Sequence, residues 1–154
     1  MKHMKIVAVC SVFSVAVLAV IAGLLAPGMN AETARSSGDI QLLARAVNGE
    51  ARGEPYEGQV AVAAVILNRV KHPSFPNTIS GVIYQPGAFT AVADGQINAP
   101  ISEGSTVYKA CRDAMNGWDP SGGAIYYFNP DTATSSWIWS RELIVKIGKH
   151  RFCR

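Results

Sequence analysis

The segment Val60-Ala61-Val62-Ala63-Ala64-Val65-Ile66-Leu67 limits the fold more than any other part of the chain. It lies within a helical pattern from Glu57 to Lys71 and is apolar on nearly every side. A helix on a protein surface has one apolar stripe, whereas a helix apolar all round lies in the middle of a domain. Its alanines let neighbouring helices come close, so the rest of the chain must supply those neighbours. Asp39 is a suitable N-cap for a helix from Ile40 to about Arg52, ended near Gly53 and Pro55. Its stripe reads Ile40, Leu43, Ala44 and Val47, and the next position on it is Glu50. Thr78 to Tyr84 predicts a short helix, Gln85-Pro86-Gly87 a turn, and Phe89 to Pro100 an irregular stretch. A third helix is predicted over Ser102 to Asn116, with Val107, Cys111 and Ala114 inward and Gly117 as its stop. After the turn at Asp119 to Gly123, Ala124 to Phe128 reads as a strand ended by Asn129-Pro130. Leu143 to Ile147 and His150 to Phe152 read as further extended segments. The expected fold is α+β, mainly helical, with a small late β-element, over residues 39–154.

Not all of the 154 residues belong to that domain. Ile6 to Ala26 carries no charge and follows Lys2 and Lys5, the layout of an export signal. It is also long enough to cross a bilayer, for which about 20 residues suffice. Gly23, Pro27 and Gly28 favour a cleavage region ending near Ala31. Residues 1–31 are therefore expected to be a signal peptide, or an N-terminal membrane anchor if uncleaved, and either reading places the domain outside the cell. Lys plus Arg is 14 against 11 for Asp plus Glu, and removing Lys2 and Lys5 leaves 12 against 11. No basic surplus or Lys/Arg run remains to serve a nucleic-acid binder. An oxidising compartment permits a Cys111–Cys153 disulfide; the alternative is a small buried thiol and an incidental terminal one.

Several chemistries have no residues to support them. There is no His-Glu-x-x-His, no Cys-x-x-Cys, and the three histidines are far apart in sequence, which disfavours a catalytic zinc site. A Gly-x-Ser-x-Gly elbow and a phosphate-binding glycine loop are also missing. Carboxylates and aromatics remain. Glu54 precedes a proline, Glu57 and Glu103 stand in first helical turns where a negative charge suits the dipole, and Glu142 lies among polar neighbours. Glu50 differs, because it continues an inward stripe near a helix C-terminus. Loss of water and the negative helix end both favour its protonated form, as a proton donor requires. A buried, arginine-paired structural role is the competing reading. The aromatic clusters are Phe89, Tyr126-Tyr127-Phe128, and Trp137 with Trp139. On a strand, Tyr126 and Phe128 share one face and Tyr127 takes the other. Rings beside Thr90 and Asn129 suit the wall of a sugar-binding groove, although core packing explains them equally well.

The run Asn48-Gly49-Glu50-Ala51-Arg52-Gly53-Glu54-Pro55-Tyr56-Glu57-Gly58-Gln59, followed by Val65 to Val70, resembles the opening of the SleB/CwlJ cell-wall hydrolase domain, a group that includes the spore cortex-lytic enzymes. The likeness continues through Ile83 to Val92, Ala124 to Pro130, Trp137 to Arg141 and Ile147 to His150, in family order. Thr90 stands where serine is as common, and Cys153 where an aromatic or small residue is commoner. The resemblance implies a lysozyme-like catalytic domain acting on peptidoglycan glycan strands, without metal or cofactor, with Glu50 as the acid. Phe89, Thr90, Tyr126, Phe128 and Asn129 become the candidate substrate-binding residues, with Thr90, Asn129 and Tyr126 orienting the acid or an acetamido group.

Glycosidases commonly use two carboxylates, but substrate-assisted variants do not. No other carboxylate matches the inward position of Glu50, so the favoured reading is a lytic transglycosylase. It would cleave the β-1,4 bond between N-acetylmuramic acid and N-acetylglucosamine and close a 1,6-anhydro ring. The alternatives are a hydrolytic muramidase or glucosaminidase, a cysteine peptidase using Cys111 with His150, and a catalytically silent wall-binding protein. The expected setting is the cell wall or spore envelope. The domain is expected to act as a monomer, to bind no nucleic acid, and to associate with a membrane only through the N-terminal segment.

Overall fold

The computed structural model describes residues 31–154; the expected signal or anchor at residues 1–31 lies outside this range except for Ala31 itself. Helix α1 spans Ala31–Ala51 and α2 spans Tyr56–Lys71. Two short helices follow, α3 (Ile79–Ile83) and α4 (Thr90–Ala93), then a 3-10 turn at Gln96–Asn98 and helix α5 (Thr106–Met115). The C-terminal part holds β1 (Tyr126–Phe128), α6 (Ser136–Trp139), β2 (Leu143–Ile147) and β3 (His150–Cys153). The described residues are thus about half helical, with one small antiparallel sheet among them in the order β1-β3-β2.

As its composition requires, α2 is the central element. Val60 to Val65 and Ile66 are buried, and α2 packs against α1, α3 and α5. Each of its fully buried Val and Ile side chains contributes about 2 kcal/mol of apolar burial. Leu43, Ala44 and Val47 of α1 and Val107, Cys111 and Ala114 of α5 meet it in the same core, as their spacing predicts.

Two helix starts differ from the sequence reading. Asp39 lies inside α1 and caps nothing, because the helix already begins at Ala31. Gly38 is the only strong helix-breaker near it, and its cost of about 1 kcal/mol is too small to stop a helix whose neighbours continue the hydrogen-bond ladder. The third helix starts at Thr106, where the Ser105 hydroxyl accepts the Tyr108 N–H at 3.1 Å. That bond satisfies one of the amides a helix start leaves free. The expected irregular stretch after Phe89 contains α4 and the 3-10 turn.

The end of α2 holds the sheet in place. Asn68 Nδ2 donates to Asp119 Oδ2 at 2.9 Å and to the Ala124 carbonyl at 3.0 Å, and Arg69 Nε donates to the Ile125 carbonyl at 2.7 Å. Burial alone would raise the Asp119 carboxyl, but donors from Ser121, Asn68 and Gly123 outweigh it and hold the group below its ordinary value. These bonds fix where β1 begins, and pairing of Tyr127 with Phe152 and Phe128 with Arg151 fixes its register. The considered Cys111–Cys153 disulfide is not formed: both cysteines are free and buried. Cys111 belongs to the α5 face packed in the helical core, and Cys153 lies at the end of β3.

Candidate active site

Glu50 lies in the last turn of α1, half-buried, at a cleft of about 370 Å³. Its Oε1 accepts the Ala91 N–H at 3.2 Å and its Oε2 accepts the Tyr127 hydroxyl at 3.3 Å. Ala91 is in the first turn of α4, whose amides have no partner within the helix. Its N–H reaches Glu50 because Gly49 lets α4 approach: a Cβ on Gly49 would collide with the Ala91 Cβ. Arg52, the nearest cation in sequence, turns away and donates to Gln96 Oε1 at 2.8 Å.

The other wall combines β1 with the start of β3. Burial, Glu50 and the hydrogen bond to Glu50 push the Tyr127 phenol well above its ordinary value, while Arg69 opposes them. It is therefore a permanent donor at any working pH. His150 packs edge-on against Tyr127, with ring centres 5.2 Å apart. Burial lowers its pKa, and Glu54 and Glu50 partly restore it. Its Nδ1 is 4.0 Å from Glu54 Oε2 and has no hydrogen-bond partner. Glu54 Oε2 accepts the Lys149 N–H at 2.8 Å. Gly148, at φ 57°, allows this contact, since a Cβ there would strike Glu54 Oε2.

Beneath the cleft, the Arg69 guanidinium is buried, with no carboxylate paired to it among the described residues. It lies over the rings of Phe75, Phe89 and Tyr126, 5.3, 5.6 and 5.7 Å from their centres. Burial lowers its pKa, while Tyr127, Tyr126 and Glu50 raise it. Cation–π contacts and the Ile125 carbonyl thus take the place of an ion pair.

Of the residues singled out in the sequence, Glu50, Thr90, Phe128 and Asn129 line this cleft, as does His150, which the sequence offered only as the partner of a Cys111 nucleophile. Phe89 does not reach it; the side chain is buried and supports Arg69 from below. Tyr126 points to the other side of β1, edge-on to Trp137 at 5.0 Å, so the phenol beside Glu50 belongs to Tyr127. Cys111 is buried in α5, and burial pushes its thiol up to about 12, the opposite of what a nucleophile needs. Arg69 and Tyr127 also line the cleft. The pattern offers a signal for Arg69, a lone cation inward on a helix otherwise apolar all round. Nothing local places Tyr127 or His150 beside Glu50, because both positions depend on sheet register.

The chain belongs to the Cell Wall Hydrolase family, whose model matches residues 53–153. The match begins just after Glu50. The spore cortex-lytic enzyme of Bacillus cereus is 67% identical over 127 residues, which cover 82% of this chain and 48% of that protein. The chain thus spans about half the length of this relative. The crystal structure of the catalytic domain of the Bacillus cereus SleB protein is 69% identical, with a TM-score of 0.72, covering 77% of this chain and 91% of that one. A second structure, the catalytic domain of a germination-specific lytic transglycosylase SleB from Bacillus anthracis, is 70% identical with a TM-score of 0.72. It covers 75% of this chain and 93% of that one.

Proposed function

We propose that this domain degrades peptidoglycan as a lytic transglycosylase, with Glu50 as its acid and then its base. One observation carries the reading: Glu50 is the only carboxylate among the described residues that line the cleft. Glu54, the nearest other glutamate in sequence, is committed to Lys149 and His150. A two-carboxylate hydrolysis has no second group here, whereas a substrate-assisted cleavage needs only one. The likeness to the lytic transglycosylase SleB of Bacillus anthracis supports the same reading.

Protonated Glu50 gives its proton to the bridging oxygen between N-acetylmuramic acid and N-acetylglucosamine. The C1–O bond breaks, and positive charge develops on the muramic ring. The Glu50 carboxylate, held by Ala91 N–H and Tyr127, then takes the proton of the C6 hydroxyl as O6 bonds to C1. Glu50 is again protonated, and the product carries a 1,6-anhydro ring without consuming water. Asn129 Oδ1 is occupied by the Asp131 N–H at 3.0 Å, which leaves its NH₂ to donate to an acetamido carbonyl. Thr90 offers a hydroxyl at the rim. The setting is the cell wall or spore envelope, reached by export.

Mass analysis of digested peptidoglycan tests this. Transglycosylation gives muropeptides one water lighter than those of a muramidase; products of full hydrolytic mass would contradict it.

A further inference from the structure

On the other face of β1, two aromatic stacks stand side by side. Tyr126 meets Trp137 edge-on, and Arg141 lies over the Trp137 ring at 4.3 Å. Phe128 meets Trp139 edge-on at 5.0 Å, and Arg151 lies over the Trp139 ring at 5.1 Å. Trp137 and Trp139 are 47% and 46% exposed, a large cost for two indoles on so small a helix as α6 unless something covers them. Neither arginine is paired: among the described residues the one ion pair is His150 with Glu54. The Nε of Arg141 is buried with no partner at all.

The stacks adjoin the cleft through one residue. Phe128 is shared, since it lines the cleft and also supports Trp139. Trp139 therefore stands beside a cleft residue, and Trp137 lies two positions before it on the same short helix. We infer that Trp137 and Trp139, with Arg141 and Arg151, form an extended subsite that binds a further stretch of the glycan strand together with the carboxylates of its peptide stems. The inference rests on the peptidoglycan reading above and extends it beyond the cleft. Rigid rings fixed edge-on offer flat faces to pyranose C–H groups at little entropic cost. Guanidiniums stacked on indoles keep their N–H edges free for carboxylates. Continuity with the cleft favours a glycan over a membrane surface, which the same residue types would otherwise suit.

The test is sedimentation with insoluble sacculi, using Glu50→Gln protein so that no strand is cut. Adding Trp137→Ala and Trp139→Ala is expected to raise Kd roughly tenfold. Adding Arg141→Gln and Arg151→Gln instead is expected to weaken binding and remove its salt dependence, with no further loss when an amidase has stripped the stems. Thermal melts check folding, and should the tryptophan variant not fold, the arginine pair decides. Unchanged sacculus affinity in the variants overturns the inference and leaves the transglycosylase reading standing. A loss seen only on phosphatidylglycerol vesicles overturns it in favour of a membrane surface. Failure of the Glu50→Gln protein itself to bind sacculi contradicts both.

Discussion

Tyr127 and Glu50, 77 positions apart in sequence, meet through a hydrogen bond of 3.3 Å from the phenol to Oε2. This contact joins the last turn of α1 to the middle of β1, and with Ala91 it fixes both oxygens of the proposed acid.

Tyr127→Phe removes that donor and keeps the ring against His150 and Phe152. The expected result is a fall in kcat of about tenfold to a hundredfold with little change in KM. Because the phenol stays protonated far above neutrality, its own ionisation should add no alkaline limb to the wild-type profile below about pH 9. A pH–rate comparison checks this; a change in KM alone would assign Tyr127 to substrate binding.

Gly49→Ala tests the close approach of α1 and α4. A helical alanine gains about 1 kcal/mol over glycine, but overpacking costs about 1–3 kcal/mol, and the collision is with Ala91 itself. Urea denaturation should show a net loss of stability, and turnover should fall because the Ala91 N–H moves off Glu50.

His150 and Asp119 predict how stability depends on pH. The folded pKa of His150 lies below 6.5 because of burial, so the unfolded chain takes up the proton first. Its contribution is full above about pH 6.5 and falls as the pH drops toward the lowered folded value. Asp119 is also lowered, and its contribution is lost only at more acid pH, as the carboxyl protonates in the folded state. Melting temperature against pH should fall in two stages. His150→Gln should flatten the first stage only.

The cysteines should be silent. Burial raises the Cys111 and Cys153 thiols, Cys111 to about 12, so these two should resist alkylation in native protein and turnover should survive iodoacetamide treatment. Rapid labelling with loss of activity would revive a thiol mechanism.

Much of this arrangement is legible in the sequence because it follows from periodicity. The all-apolar run places α2 at the centre, and the stripe through Val47 carries Glu50 to the inner end of α1. Strand alternation correctly separates Tyr127 from Tyr126 and Phe128. It does not say which face meets α1, since that depends on Asn68 and Arg69 anchoring the start of β1 from α2. Phe89 reads as a substrate-binding ring after a turn, yet its side chain is buried under Arg69. His150 reaches the cleft only through its pairing with Ile147 across the β2–β3 turn. Contacts between distant segments of this kind leave no local pattern.

The most direct test of the account is turnover of purified peptidoglycan by Glu50→Gln. The substitution keeps the shape of the side chain and its partners but removes the transferable proton. The account predicts a folded protein with a melting temperature near wild type, retained binding to sacculi, and turnover lower by about a thousandfold. A Glu50→Gln enzyme that releases muropeptides at the wild-type rate would contradict it.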